Sequence, residues 1–338
     1  MGQSPSSSNY SENEDDTILI QGNADLINGK VVPRIYTSEI TKISKPGDII
    51  LTVRAPVGDL AINEFNSCIG RGVCSIEGNK FIYYFLQSLK NKHVWERLSQ
   101  GSTFESINSN DIKNLNVKIP SKKIQKSISS FLTIIDNKIE LLEKKYSQYQ
   151  DFKKYLMQQI FTQKLRFDFN IIKLNDICDI NKGKQLNKEN MVNFGEYYVL
   201  NGGKEPSGYT NSWNTPANTI TISEGGNSCG YVNFNEEKFW SGGHCYYLSN
   251  LSSKIDLYYL YSYLKFIEPS IMRLRVGSGL PNIQKGDIEN IKVKTLPINE
   301  QIKIRNVLRI IDKKISTLKV QKEHFEVFKK GLLQQMFV

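Results

Sequence analysis

The sequence lacks the features of a membrane or secreted protein. No apolar run in its 338 residues approaches the ~18 residues that a membrane-spanning helix requires. The N-terminal segment is polar and then acidic, the reverse of a secretory signal. The five cysteines are odd in number and include no C-x-x-C pair, unlike a disulfide framework or a zinc cluster. We therefore expect a reducing, cytoplasmic environment, with no membrane segment and no metal site.

Motifs of several enzyme classes are also missing. A Gly-Lys pair ends at Lys30, Lys184 and Lys204, but neither Ser nor Thr follows, so there is no Walker A loop. None of the ten prolines precedes Asp or another Pro, which excludes a PD-type nuclease signature and an adenine-methyltransferase N-P-P-Y loop. The segments 70–72 and 277–279 lack the third glycine of a dinucleotide fingerprint. The sequence thus predicts no catalytic centre and no cofactor of its own.

One catalytic pattern does match, and it supports a serine hydrolase as an alternative. Residues 226–230 read G-x-S-x-G around Ser228, with His244 further on. A nucleophile elbow needs a helix after the serine and room for an acid before the histidine. Here a strand-like run follows, and His244 comes only 16 residues later. A glycine-rich hairpin is the preferred interpretation, with His244 a satisfied, partly buried histidine.

Positive charge is in excess. Lys and Arg number 44 against 34 Asp and Glu, which gives a net charge of +10 and a pI of about 9.1. Such a balance favours a polyanionic partner, although many proteins that bind no nucleic acid are mildly basic.

An internal duplication organises the chain. Residues 131–139 reappear as 307–315, and residues 155–161 as 331–337, both 176 positions later. Pairs at the same offset include Gly101-Ser102 with Gly277-Ser278 and Asp111-Ile112 with Asp287-Ile288. Each half therefore has a variable globular part, a Gly-Ser turn and a long helix.

Both long helices carry a heptad pattern of apolar residues. The first follows Ile128, Leu132, Ile135, Ile139, Leu142, Tyr146, Tyr149, Leu156 and Ile160; the second follows Ile304, Leu308, Ile311, Ile315, Leu318, Phe325, Leu332 and Met336, with Lys322 as an interruption. Because each stripe must be covered, we predict that the helices pair as an antiparallel coiled coil. The alternative is that each packs only on its own globular domain.

We expect an α+β fold of two similar domains joined by these helices. The expected boundaries are 1–120 for the first globular domain, 121–163 for the first long helix, 164–297 for a linker and the second domain, and 298–338 for the second helix. Strand-like runs lie at 48–53 and 219–222, and helix-like runs at 81–89 and 257–266.

Several segments resemble the specificity subunit of type I restriction-modification systems. They are Gly2-Gln3-Ser4-Pro5, Gly47-Asp48-Ile49-Ile50, Arg54-Ala55-Pro56-Val57-Gly58, Ile69-Gly70-Arg71-Gly72, Leu200-Asn201-Gly202-Gly203, Ser241-Gly242-Gly243-His244, the segment 277–283, and Leu332-Leu333-Gln334-Gln335-Met336-Phe337. The similarity covers nearly the whole chain.

The resemblance implies two target-recognition domains, each reading one half of a split double-stranded DNA sequence, with helix length setting the gap. It implies a non-catalytic subunit that binds two modification subunits, which methylate adenine with S-adenosylmethionine. Two restriction subunits would complete an assembly that cleaves DNA with ATP and Mg²⁺. A second hypothesis is a free-standing DNA-binding protein without a modification partner.

DNA contacts are expected from side chains near turns. Arg34, Arg54 and Arg71 suit guanine edges or phosphate; Gln21, Asn23, Asn201 and Asn227 suit adenine; Lys184, Lys204 and Arg275 suit phosphates; Thr103 and Ser278 lie in the repeated Gly-Ser turn. For each of them, surface solvation or turn capping is the competing interpretation.

The duplication is incomplete at its start. Residues 169–182, which should supply an opening strand, have no counterpart before Gly2. Either the sequence is a shortened form or natural variant, or the missing strand comes from elsewhere.

Overall fold

The computed structural model of the protein describes residues 1–99, 105–162, 168–277, 279 and 281–337. The chain forms two compact units: unit 1 comprises Met1–Lys144 and Lys319–Val338, and unit 2 comprises Lys145–Leu318. Thr103 and Ser278, the residues expected in the repeated turns, lie outside the described residues. No described helix is both long and apolar enough to cross a membrane.

The globular part of unit 1 contains two five-stranded sheets and three helices. The strands are β1 (Tyr10–Ser11), β2 (Thr17–Ile20), β3 (Leu26–Ile27), β4 (Lys30–Val31), β5 (Tyr36–Thr37), β6 (Ile43–Ser44), β7 (Ile49–Thr52), β8 (Leu60–Ile62), β9 (Ser67–Ile69) and β10 (Val73–Ile76). The helices are α1 (Lys80–Asn91), α2 (Val94–Ser99) and α3 (Ser109–Lys113), followed by the long helix α4 (Lys122–Phe161). The sheet orders are β1-β5-β2-β9-β6 and β10-β7-β8-β4-β3.

The globular part of unit 2 follows α4. Its strands are β11 (Asn170–Lys173), β12 (Asp179–Lys182), β13 (Tyr197–Leu200), β14 (Gly208–Thr210), β15 (Thr219–Ser223), β16 (Val232–Asn235), β17 (Trp240–Ser241), β18 (Cys245–Ser249) and β19 (Lys292–Thr295). Its helices are α5 (Leu257–Phe266), α6 (Glu268–Met272) and α7 (Lys285–Glu289), and the long helix α8 (Ile298–Met336) ends the series. The sheet orders are β12-β18-β15-β16, β14-β13-β17 and β11-β19.

The strand order of the two units repeats, although their globular sequences share little. In each unit a fully buried strand, β7 or β15, pairs antiparallel with two neighbours, β8 and β10 or β16 and β18. A parallel pair, β2 with β9 or β13 with β17, follows the same plan. The units differ at one edge: β18 also pairs with β12, whereas no described strand covers the second edge of β10. That difference matches the expected lack of a counterpart to residues 169–182.

Both long helices contribute to the core of each unit. Leu132 and Ile135 of α4 pack in unit 1 with Leu333 of α8 and Phe337 just beyond it. In unit 2, Ile160 and Phe161 pack with Ile304 and Leu308. The prediction of paired helices is therefore confirmed, and packing of each helix on its own domain alone is wrong.

The end of the heptad pattern needs a correction. Met336 was assigned to the buried stripe but is exposed, whereas Leu333 and Phe337 are buried. Seven residues of a straight helix fall about 20° short of two full turns, so a strict heptad drifts off one face and the buried positions in the last turns of α8 lie one residue later. Phe337 packs against the rings of Phe81 and Phe85.

A tyrosine, an aspartate and a lysine from three helices meet in unit 1. Tyr84 Oη of α1 donates to Asp136 Oδ2 of α4 at 2.7 Å, and Lys329 Nζ of α8 lies 2.6 Å from Asp136 Oδ1. Burial, with the neighbouring Asp136 carboxylate, raises the pKa of Tyr84, so this hydroxyl remains a donor. Further along, Lys322 pairs with Glu143. From the first of these contacts to the second, residue numbers rise along α4 and fall along α8. The two helices are therefore antiparallel in unit 1.

The same Tyr–Asp–Lys cluster occurs in unit 2 with the roles of the long helices exchanged. Tyr258 Oη of α5 donates to Asp312 Oδ2 of α8 at 2.5 Å, and Lys153 Nζ of α4 lies 2.6 Å from Asp312 Oδ1. Both the aspartates and the lysines are 176 positions apart. Each long helix thus supplies the aspartate to one unit and the lysine to the other.

A buried glutamine fixes the start of each long helix. Gln125 Oε1 accepts from Asn79 Nδ2 at 2.8 Å, and Asn79 caps α1. Gln301 Oε1 accepts from the backbone N–H of Asp256 at 2.9 Å, and Asp256 caps α5. In both glutamines the amide nitrogen donates to the carbonyl five residues earlier. One side chain therefore links the cap of a domain helix to the turn that begins a long helix.

We predict that Asp136→Ala destabilises unit 1 by about 2 to 3 kcal/mol, because it leaves the largely buried Lys329 ammonium and the Tyr84 hydroxyl without their shared acceptor. Urea unfolding followed by circular dichroism measures the loss. The matched control is Glu323→Ala, which removes the exposed Lys319–Glu323 pair and is expected to cost less than about 0.5 kcal/mol. Equal losses in both variants would contradict the role assigned to the cluster.

Candidate nucleic-acid interface

A polar cleft in unit 1 brings together four of the residues expected to contact DNA. It has a volume of about 490 Å³ and is lined by Ser4, Pro5, Ser7, Tyr10, Gln21, Gly22, Asn23, Arg54, Ala55, Arg71 and Gly72. The sequence-based choices Gln21, Asn23, Arg54 and Arg71 are all in this set. They come from three separate loops, so their meeting is a property of the fold.

Backbone hydrogen bonds hold these loops in place. Val53 N donates to Gly72 O at 2.9 Å, and Arg71 N donates to Ser4 Oγ at 3.1 Å. The side chains of Arg54 and Arg71 are exposed, and no ion pair engages either guanidinium within the described ranges. The cleft therefore presents two free positive charges beside two side-chain amides.

Arg34 is placed differently from the other predicted residues of unit 1. Its Nη1 lies 3.6 Å from Asp25 Oδ1, while Asp25 Oδ2 accepts from the backbone N–H groups of Gln21 and Gly22. Arg34 thus pairs with the carboxylate that shapes the Gln21 loop and does not line the cleft.

The backbone bonds that shape the cleft loops recur in unit 2. In unit 1 they are Gly70 N to Ile20 O (2.8 Å), Val53 N to Gly72 O (2.9 Å), Ile107 N to Val53 O (3.0 Å) and Gly58 N to Thr52 O (3.0 Å). In unit 2 they are Gly242 N to Leu200 O (2.9 Å), Glu224 N to His244 O (3.0 Å), Ile283 N to Glu224 O (2.9 Å) and Gly230 N to Ser223 O (2.8 Å). The two units therefore share one loop frame.

This shared frame carries different side chains. When the equivalent backbone bonds of the two units are matched, Arg54 corresponds to Gly225, Arg71 to Gly243, Gly72 to His244, and Gln21 to Asn201. Both arginines of the unit 1 cleft are thus glycines in unit 2. The same backbone presents different hydrogen-bonding groups in the two units.

The predicted residues of unit 2 lie around the equivalent loops. Lys184 and Asn227 are exposed, and Lys204 is exposed with its Nζ 5.5 Å from the centre of the Tyr231 ring. Burial raises the pKa of the Cys229 thiol, and the nearby Arg275 guanidinium acts against that rise, which places Arg275 beside the 224–230 loop. These four cationic or amide groups remain candidates for DNA contact.

Asn201 has a structural role. Its Oδ1 accepts from the backbone N–H of His244 at 3.4 Å, and a side chain at Gly242 would collide with it. The amide oxygen is therefore engaged with the 241–244 loop, as the turn-capping interpretation expects, and the base-reading interpretation stays untested.

Sequence reasoning missed a charged cluster in unit 2. Glu224 is buried, Lys182 Nζ lies 2.6 Å from its Oε1, and His244 Nδ1 lies 3.5 Å from its Oε2. The expectation that His244 is partly buried is wrong, because its side chain is exposed at the surface. Glu224 follows the apolar strand β15 without any motif, so only the histidine gave a signal in the sequence.

The G-x-S-x-G segment does not form a nucleophile elbow. Residues Gly226–Ser228 form a short 3-10 turn, and strand β16 follows where the elbow needs a helix. Within the described residues no hydrogen bond links the Ser228 hydroxyl to His244. The geometry therefore matches the glycine-rich turn.

A metal site is not formed either: in the ranges that the structure covers, no three His, Cys, Asp or Glu side chains come together.

Comparisons with known proteins agree across both halves. A family model described as the type I restriction modification DNA specificity domain matches residues 1–149 and 167–325. The type I restriction enzyme MjaX specificity subunit of Methanocaldococcus jannaschii is 37% identical over 172 residues, 49% of this chain and 40% of that protein. A type I specificity subunit of Mycoplasma genitalium is 34% identical over 163 residues, 46% and 42% of the two chains. These alignments span less than half of each relative.

Two solved structures share the fold. The S subunit of a type I restriction-modification system from M. genitalium matches with a TM-score of 0.74 and 21% identity, over 100% of this chain and 92% of that one. A chain from a structural study of complex assembly and conformational transition in the type I system matches with a TM-score of 0.56 and 16% identity, over 94% and 90%. Since the family model matches both halves, the protein belongs to the family of the type I restriction modification DNA specificity domain.

Proposed function

We propose that the protein recognises a bipartite target in double-stranded DNA, with unit 1 reading one half-site and unit 2 the other. The observation that carries this proposal is the shared loop frame with different side chains. One frame gives both units the same way of approaching a duplex, and the exchange of Arg54 and Arg71 for glycines gives them different preferences.

The chemistry of the unit 1 cleft favours a half-site that contains guanine. An arginine donates in bidentate fashion to guanine O6 and N7, and glutamine or asparagine pairs similarly with adenine. Arg54 and Arg71 have guanidinium groups available for this contact, beside the amides of Gln21 and Asn23. In unit 2, Lys184, Lys204 and Arg275 supply charge for backbone phosphates.

Repeated apolar patches on the long helices support two copies of one partner. Phe131 and Ile134 are exposed on α4, and their duplicates Val307 and Ile310 are exposed on α8. Residues three apart lie on one helix face, so each pair forms a patch. Duplicated patches of this kind fit two modification subunits, as in a type I assembly.

The catalytic steps are assigned to partner subunits. We place adenine methylation, with S-adenosylmethionine, in two modification subunits, and DNA cleavage, with ATP and Mg²⁺, in two restriction subunits. Residues 1–120 and 164–297 are the proposed recognition domains, and 121–163 and 298–338 the spacer helices. The cytoplasm is the proposed compartment, in keeping with five free, buried thiols.

Co-expression with a modification subunit, followed by sequencing for N6-methyladenine across the host DNA, tests the function. We expect methylation of a split motif with a constant gap and two different halves. A motif made of one half-site and its inverted copy would mean that one unit alone reads DNA. Specific, salt-dependent DNA binding by the isolated chain, without any complex, would instead support a free-standing DNA-binding protein.

Arg71→Ala is expected to relax the motif at one position and to weaken binding of the cognate site by about 10- to 100-fold, because one guanine contact is lost. Lys204→Ala is the comparison: losing a phosphate contact weakens binding to all sequences alike and lowers the salt slope by about one. Binding measured on cognate and single-substituted duplexes separates the two. An unchanged motif with Arg71→Ala would contradict base reading by this residue.

Ile134→Asp and Ile310→Asp are each expected to remove one modification subunit, and the double variant both, because a charge cannot be buried in an apolar interface without a partner. Native mass spectrometry of the purified complexes counts the subunits. Val327→Asp is the control, since Val327 is equally exposed on α8 but its counterpart is Asp151, outside the repeated patches. Retention of both subunits by the double variant would refute this docking site.

A further inference from the structure

Unit 2 contains a charged cluster that its recognition role has not yet explained. It consists of Lys182, Glu224 and His244, here called the 224 cluster. Glu224 is only 4% exposed, and its Oε1 accepts from Lys182 Nζ at 2.6 Å and from Tyr246 Oη at 3.1 Å. Its Oε2 is buried without a hydrogen-bond partner and faces His244 Nδ1 at 3.5 Å. Among the described residues, His244 is the one whose side-chain nitrogen lies within ion-pair distance of this buried oxygen.

The fold itself does not require this cluster. In unit 1 the shared frame places Val53 where unit 2 has Glu224, and Gly72 where it has His244. The backbone bond between the two positions is the same, at 2.9 Å and 3.0 Å. Burying a carboxylate costs free energy that a valine avoids. Glu224 is charged at a position where the fold accepts an apolar residue, and this indicates a role in binding.

The state of His244 decides the charge of the cluster. With a neutral imidazole, Glu224 cancels Lys182 and the cluster carries no net charge. A protonated imidazole donates from Nδ1 to Glu224 and leaves one net positive charge, with Nε2–H as a second donor. The exposed histidine and lysine then offer two cationic donors side by side at the surface.

Neighbouring groups do not change charge near neutral pH. Burial raises the pKa of Tyr246 to about 12 and that of Cys245 to about 11, and it also raises the pKa of Cys229. The other charged groups of the surrounding loops are Lys184, Lys204, Glu205 and Arg275. Histidine is the side chain that does titrate there.

We propose that His244, held in place by Glu224 and accompanied by Lys182, binds a DNA backbone phosphate in its protonated form, so that recognition by unit 2 is coupled to uptake of one proton. This inference rests on the proposed DNA-binding function. Glu224 is a positioning residue: it fixes which imidazole nitrogen faces inward and compensates the added charge. The group that is bound is a phosphate oxygen. Two adjacent cations interact more favourably with one shared anion than with the neutral edge of a base.

The sign of the pH dependence follows from this coupling. A phosphate stabilises the protonated imidazole, so forming the complex takes up a proton wherever the imidazole of the free protein is neutral. Binding therefore weakens as pH rises. One coupled proton limits the slope of log Kd to one per pH unit, which gives up to about a tenfold loss for each unit.

The test uses the complex with modification subunits and a duplex carrying the methylation motif. Fluorescence anisotropy measures Kd from about pH 6 to about pH 8.5 at fixed ionic strength. The wild type is expected to show the slope, and His244→Gln to abolish it. Glu224→Gln is expected to reduce the slope, whereas a purely structural role would weaken binding equally at every pH. His93→Asn is the matched control: it removes an exposed histidine paired with Glu96 in unit 1 and keeps a residue that tolerates the positive φ of 55°.

Replacing single phosphates by uncharged methylphosphonates identifies the contact. One position is expected to remove the pH slope of the wild type, while 7-deazaguanine substitutions leave the slope in place; the reverse result would overturn the phosphate assignment. Specific wild-type binding with the same slope in His244→Gln would overturn this inference and leave the proposed function standing. Failure of the wild-type complex to bind any duplex would instead overturn the proposed function.

Discussion

Two half-buried aspartates, Asp136 and Asp312, hold the architecture together. Each accepts a tyrosine hydroxyl from the globular part of its unit and a lysine ammonium from the opposite long helix. Three elements therefore converge on one carboxylate, and a shift of either long helix along the other would leave a partly buried charge unpaired. Apolar stripes permit several alignments of two helices, whereas this charged contact specifies one. The register of the antiparallel pair follows from it.

With the helices aligned, the recognition loops are free to vary. Glycines and backbone bonds define the loop frame, so its shape does not depend on side chains such as Arg54, Arg71 or His244. Gly70 and Gly72 lie where the frame brings backbones together, and a side chain at Gly72 would collide with the Gln21 carbonyl. The exposed residues of these loops can therefore be exchanged while the backbone frame is kept, as the difference between the two units shows.

The features that the sequence predicted correctly are those that depend on neighbouring residues or on the internal repeat. The bounds of α4 and α8 follow from apolar periodicity and the lack of interior proline, and α5 lies at its expected position. The four cleft residues were chosen for side-chain chemistry beside turns, and the fold does gather them. Missed features depend on residues distant in sequence: Tyr84 meets Lys329, and Lys182 meets Glu224 and His244. The link between Asn201 and His244 could not be foreseen either, because the amide oxygen accepts from a backbone group 43 residues away.

The division of the chain between the units has a consequence for its synthesis. Unit 2 is one continuous stretch, whereas the core of unit 1 includes Leu333 and Phe337, which the ribosome adds after all of unit 2. Domains generally fold in the order in which they are made. Here that order is inverted: the N-terminal unit waits, with its apolar groove uncovered, until α8 arrives. Chains that end before that point would contain all of unit 2 but would lack the residues of α8 that complete the core of unit 1.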